Sequence, residues 1–141
     1  SRGDNVGENI SDWRYVMYCW KAVPGYSAFG SYNGNSSADG PFVYTGFKPA
    51  WWIGKQADGA ENWFLIDNVR HPSNDGNAPR VLPNLSDAES EDSSIAGDFV
   101  SNGFKIRATQ NMINNSGSTY FFMAFAEHPF VSSKGVPVTA R

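Results

Sequence analysis

The residues able to do chemistry in this 141-residue chain are few and scattered. His71 and His128 lie far apart, each beside a proline, and Cys19 is the only cysteine. A lone cysteine makes no disulfide within the chain and no cysteine-based metal site. Without a cysteine cluster or a paired-histidine motif, both histidines read as loop or surface residues and not as ligands. Serine and aspartate are plentiful, but no nucleophile elbow frames a serine, so no hydrolytic triad is legible. Asp58, Glu61, Asp67, Asp87, Glu89, Glu91 and Asp92 include possible carboxylate pairs, and most fall in polar loops where solvated charge is the default. The chain is therefore expected not to be an enzyme. Two loops, residues 74–77 and 87–92, are rich in the hard oxygen donors that Ca²⁺ takes, although neither has EF-hand spacing. Asp75, Asp87 and Glu89 are weak calcium candidates, and no other cofactor is expected.

The aromatics permit a sharper idea. A sugar-binding surface needs an apolar plate for the ring and polar groups for the hydroxyls. Tyr26, Tyr32, Tyr44 and Trp52 flank polar loops and are the carbohydrate-binding candidates. Core packing is the competing explanation for each of them.

These residues must be positioned by a β framework. Ten Phe, six Tyr and five Trp accompany only 18% charged residues, and fourteen Gly with eight Pro imply many short elements joined by turns. Residues 50–55 and 62–67 are runs of aromatic and β-branched side chains, which suit a pleated surface. The polar loop between them carries Asp58-Gly59, so the pair predicts a hairpin with a loop longer than two residues. Trp51, Trp52 and Ile53, then Trp63, Phe64, Leu65 and Ile66, are apolar on both sides of each strand, the pattern of strands lying between two layers or in a closed sheet. Further strands are predicted at 13–21, 29–32, 80–82, 104–108 and 120–126, with Asn102-Gly103 as a tight turn. Residues 85–94 have the only helical composition, with Ser86 and Glu89 spaced as a capping box. Without an apolar stripe they are expected to make one or two helical turns or an acidic loop. Residues 111–118 read as a loop. The expectation is an all-β chain, an antiparallel sandwich of jelly-roll or concanavalin-like type, with at most one short helix. A domain of this length buries roughly two-thirds of its unfolded surface. No apolar run is long enough to cross a bilayer, and a net charge of −3 argues against nucleic acid as a partner.

Residues 15–24 and 120–129 match in character without a gap: Tyr15 with Tyr120, Cys19 with Ala124, Trp20 with Phe125, Pro24 with Pro129. The match suggests a unit boundary. Residues 1–24 are then an arm with a first strand, as the end of a preceding repeat. Residues 25–130 form the sandwich, and residues 131–141 an extended tail. The chain begins at Ser1 and not Met, as a processed product, an engineered piece or a fragment would. One or both of its ends are expected to lie against a neighbouring subunit or module.

Several runs together resemble a known family. They are residues 18–35 (YCWKAVPGYSAFGSYNGN), 42–51 (FVYTGFKPAW), 62–67 (NWFLID), 101–107 (SNGFKIR) and 120–130 (YFFMAFAEHPF). In order and spacing they are similar to a domain of unassigned function found near the C-terminal ends of virion structural proteins of tailed bacteriophages, many of them marine or cyanobacterial. The resemblance covers residues 18–130. It implies a virion protein of tail-fibre or appendage type at the particle surface, with no catalytic residues to carry over. Its expected partners are copies of itself or other virion proteins, and a bacterial surface glycan. The competing readings are a carbohydrate-binding module of a secreted protein and a capsid decoration protein.

Overall fold

The structure, a computed structural model, describes residues 14, 16–92 and 95–129. Among these the chain forms β1 (Ser27–Asn33), β2 (Phe42–Tyr44), β3 (Pro49–Gln56), β4 (Phe64–Asp67), β5 (Ala78–Val81), β6 (Ser90–Asp92), β7 (Gly97–Val100), β8 (Gly103–Ile106), the helix α1 (Asn111–Asn114) and β9 (Thr119–Ala126). A six-stranded sheet ordered β1-β9-β3-β4-β5-β6 and a three-stranded sheet ordered β2-β8-β7 make up the fold, and every strand pairing is antiparallel. The protein is an all-β sandwich with one short helix. The expected hairpin is β3 and β4, in register from Trp51 opposite Asp67 to Gly54 opposite Phe64.

Register explains how the core is filled. On the inner face of the large sheet Gly30, Phe122, Gly54 and Phe64 stand in one row across four strands. A Cβ at Gly54 would come within 2.3 Å of Phe64 Cζ, and one at Gly30 within 2.9 Å of Phe122 Cε1. The glycines leave room for the two phenyl rings, a small-large alternation that lets both lie close to the sheet. Phe104 enters from the small sheet. It stacks on Trp52 with ring centroids 4.2 Å apart and meets the edges or faces of Phe122 and Tyr32 at 5.4 and 6.3 Å. Trp52, Phe64 and Phe104 are all fully buried.

Three expectations are corrected. Of the two forms expected for the acidic stretch, residues 85–89 take the loop and not the helical turns, and Ser90–Asp92 pairs with β5, which the sequence reading does not anticipate. With no apolar stripe to bury, a helix there had nothing to pack. The helix lies instead at Asn111–Asn114, where Met112, Ile113 and Asn114 are buried. Asn114 holds it in place. Its Nδ2 donates to Asn35 Oδ1, Ser37 O and Ala108 O at 3.0, 2.9 and 2.7 Å, and its Oδ1 accepts from the Asn35 N–H at 2.8 Å. The first predicted strand is also absent. Residues 16–20 have no regular structure and are exposed. The similar run in β9 is a strand because β1 and β3 pair with both its edges. Residues 16–20 have no strand partner among the described residues. The third correction is Trp63, assigned to the core but 43% exposed just ahead of β4. The arm of residues 1–12, Tyr15 and the tail of residues 131–141 lie outside the described residues.

Candidate functional site

The pleat that sends one set of side chains to the core sends the alternate set outward. On the large sheet this outer set remains apolar. One row holds Phe125 and Trp51 and ends at Asp67; the next holds Phe29, Met123, Ile53, Leu65 and Val81. In the third row Phe121 is 59% exposed beside Lys55. The doubly apolar strands therefore cover the core on one side only, and among the described residues no second layer of strands closes the other.

The outer side of the small sheet is built differently. Lys105 Nζ lies 2.8 Å from Asp39 Oδ1, and Arg107 Nε lies 2.6 Å from Asp98 Oδ2. The Lys105 hydrogen bond, then its charge, holds the Asp39 carboxyl below the usual range. Asp98 likewise raises the Arg107 guanidinium, first by hydrogen bond and then by charge. Beside these ion pairs Phe42 and Tyr44, on the same side of β2, are 48% and 68% exposed, so that face mixes paired charge with two rings. The apolar face of the large sheet is where contact is favoured.

Two ends of the apolar face differ. At one end Trp20, Ile53, Trp63, Phe121 and Met123 line a cleft of about 210 Å³. The segment leading to it carries Val16, Met17 and Tyr18 at 79, 82 and 73% exposure, with Tyr18 stacked on Trp20 at 5.9 Å. At the other end Trp51 stacks on Phe125 at 4.8 Å and 22°, while Tyr26 and Phe29 meet Phe125 edge-on at 5.9 and 6.0 Å. Beyond Trp51 a groove of about 350 Å³ reaches the turn of residues 68–70.

That turn is tightly held. Asp67 Oδ1 accepts from the Val69 and Arg70 N–H groups at 3.1 and 2.9 Å. Asp67 Oδ2 pairs with Arg70 Nε at 2.9 Å, and Arg70 Nη1 donates to Glu89 Oε2 at 2.6 Å. Asn68 donates through Nδ2 to Glu127 Oε1 at 3.0 Å, and Glu127 Oε2 lies 3.0 Å from Lys48 Nζ.

The structure separates the four aromatic candidates. Tyr32 and Trp52 are 7% and 0% exposed and belong to the core, so neither presents a face to a ligand. Burial first, and then Tyr120, raises the Tyr32 phenol well above its ordinary pKa; its hydroxyl donates to Ile113 O at 2.8 Å. Tyr26 and Tyr44 are 46% and 68% exposed but are not brought together. Tyr44 borders a second groove, of about 500 Å³, with Ala22, Pro24, Phe29, Thr45 and Gly46. The calcium candidates do not converge either. Asp75 accepts from Ser73 Oγ and the Asn77 N–H within its own loop, and Glu89 is taken by Arg70. No group of three or more metal-ligating side chains forms among the described residues. His71 is a loop residue but a buried one, 2% exposed, with Nδ1 3.7 Å from Asp75 Oδ1. His128 is exposed.

Residues 2–129 match a protein family described as "Domain of unknown function (DUF7483)". The chain belongs to this family. The DUF7483 match takes in residues 2–17, ahead of the run of resemblance that begins at residue 18, and it ends where the described residues end. No curated protein and no solved structure matches the chain. The DUF7483 description assigns no activity, so roles for Trp51, Asn68 and Arg70 come from geometry alone. Sequence reasoning passed over all three. The available signal was Trp51 followed, across a hairpin, by Asp67-Asn68.

Proposed function

We propose that this chain is a non-enzymatic structural module of a bacteriophage virion, in a tail fibre, another appendage or the particle surface, and that it works by contact. The observation that carries the reading is the apolar outer face of the large sheet, set beside an equally apolar exposed segment. Contiguous apolar patches beyond a few hundred Å² mark interaction surfaces. The strands β1, β9, β3 and β4, of seven, eight, eight and four residues, lie about 4.8 Å apart and rise about 3.3 Å per residue, so they present roughly 400 Å² of flat sheet. A standard interface takes about 800 Å² from each partner. The sheet supplies about half of that, and residues 16–20 extend it. The partners are copies of this chain or other virion proteins, and the resemblance of residues 18–130 to phage appendage domains supports that setting.

Sedimentation velocity on the full chain tests the assembly, and gold-labelled antibody on native particles tests the place. A concentration-dependent multimer and label confined to a tail fibre, another appendage or one part of the particle surface are the expected results. A chain that stays monomeric at every concentration while retaining glycan affinity would favour the secreted carbohydrate-binding module, and label spread over the capsid shell the decoration protein.

A further inference from the structure

Beyond assembly, we infer that the groove between Trp51 and the turn of residues 68–70 binds an uncharged pyranose of a surface glycan. The indole has Phe125 against one side, 4.8 Å away, and Asp67 as its cross-strand neighbour on the other. Its free face is therefore a wall of the groove, with Leu65 and Val69 adding apolar surface. A ring stacked on that wall meets the turn opposite. The turn offers two polar groups with no hydrogen bond among the described residues: Arg70 Nη2, a donor, and Asn68 Oδ1, an acceptor. Both belong to side chains already fixed by their other atoms, Arg70 by Asp67 and Glu89, Asn68 by Glu127. Groups fixed before binding lose little freedom when a ligand arrives.

Charge decides which sugar. Arg70 is paired with two carboxylates, and Lys48 with Glu127, so the site carries no surplus positive charge for a uronic or sialic acid. Hydroxyls fit one free donor and one free acceptor. The larger groove at Tyr44 lacks this provision. The Thr45 hydroxyl is spent on Phe47, and the Ser27 hydroxyl donates to Lys21 O and accepts from the Val23 N–H. Its one unengaged side-chain hydroxyl among the described residues is the Tyr44 phenol, on a ring 68% exposed, and it is not paired with a second polar group fixed in advance as Arg70 and Asn68 are. At about 350 Å³ the Trp51 groove lies at the small end of ligand pockets, which suits one ring of a longer glycan.

Affinity electrophoresis of the full chain through gels holding a neutral glucan, mannan or galactan, or a polyuronate, tests the inference. Retardation by at least one neutral polysaccharide and none by the polyuronate is expected. Trp51→Ala should weaken that binding about tenfold or more, the loss of one good stacking contact. Because Trp51→Ala also removes the Phe125 stack, a second variant guards against misfolding. Val69 lines the groove at 84% exposure, so Val69→Trp fills it without touching the core. It should abolish retardation at an unchanged thermal midpoint. The inference is overturned if no neutral polysaccharide retards the chain, if the polyuronate alone does, or if the Val69→Trp variant binds as the parent does. Sedimentation reports assembly separately: a multimer that ignores glycans sinks this inference alone, and a monomer that binds them sinks the assembly role alone.

Discussion

Phe104 is the residue on which the two sheets meet. It is fully buried against Trp52, Phe122 and Tyr32, so Phe104→Ala leaves a cavity lined by three rings and should cost about 3–5 kcal/mol in chemical denaturation. Trp63→Ala, at a site 43% exposed, should cost far less, and equal losses would contradict the burial pattern. Two carboxylates predict the acid response. Asp39 is held low by the Lys105 hydrogen bond and charge, and Asp75 by the Ser73 hydroxyl and the Asn77 N–H. A carboxyl whose folded pKa is depressed stabilises the protein above its unfolded value, about 4, and loses that contribution as pH falls through the folded value. The thermal midpoint should thus drop below about pH 4, and Asp39→Asn or Asp75→Asn should each narrow the difference between pH 7 and pH 3. Both carboxylates are exposed, so each effect is small. At this scale the sequence reading offers Trp52 as a ligand-facing ring, and the structure buries it. Trp51 and Trp52 are neighbours on a strand, and a period of two sends them to opposite faces. Which of the two rings faces the core depends on a register fixed by β9 and β4.

Among the elements, the hairpin of β3 and β4 and the strand β9 were legible because their runs of aromatic and β-branched residues are long. The helix α1 was not. It is a single turn whose first and last residues are asparagine, a weak helix former, and Gln110 caps it without a side-chain hydrogen bond. Tertiary bonds hold it: Tyr32 donates to Ile113 O at 2.8 Å, Tyr120 donates to Asn111 O, and Asn114 ties it to residues 35–37. Asn114→Ala removes those last bonds and leaves the buried Ala108 carbonyl without its partner. The expected loss is about 2 kcal/mol or more, read as a lower denaturation midpoint at unchanged slope. The run at residues 16–20 misled for the opposite reason. Its side chains match β9, but a strand also needs edges to pair with. Replacing Val16 and Met17 together by Ser should therefore leave the thermal midpoint in place, since both are about 80% exposed, and should weaken self-association in sedimentation. A fall in the midpoint without loss of association would assign the segment to this domain's own core.

For the molecule as a whole, the all-β class followed from composition and turn frequency, whereas the division of its two outer surfaces did not. Ion pairs with Phe42 and Tyr44 beside them mark the outer side of the small sheet, while the large sheet turns a nearly continuous apolar face outward, and only the pairing of strands distant in sequence reveals it. That same pairing has a consequence for synthesis. β9 is the last strand among the described residues, yet it lies between β1 and β3 within the large sheet. Until residue 126 has left the ribosome, β1 and β3 have no shared neighbour, and two aromatic strand edges wait open. The domain must then close in one late step dominated by contacts between distant residues, the slow kind of folding. Nascent chains stalled ahead of β9 should stay protease-sensitive and prone to associate. The order of synthesis thus leaves a time window in which a neighbouring copy, or a chaperone, can reach surfaces that the finished module no longer shows.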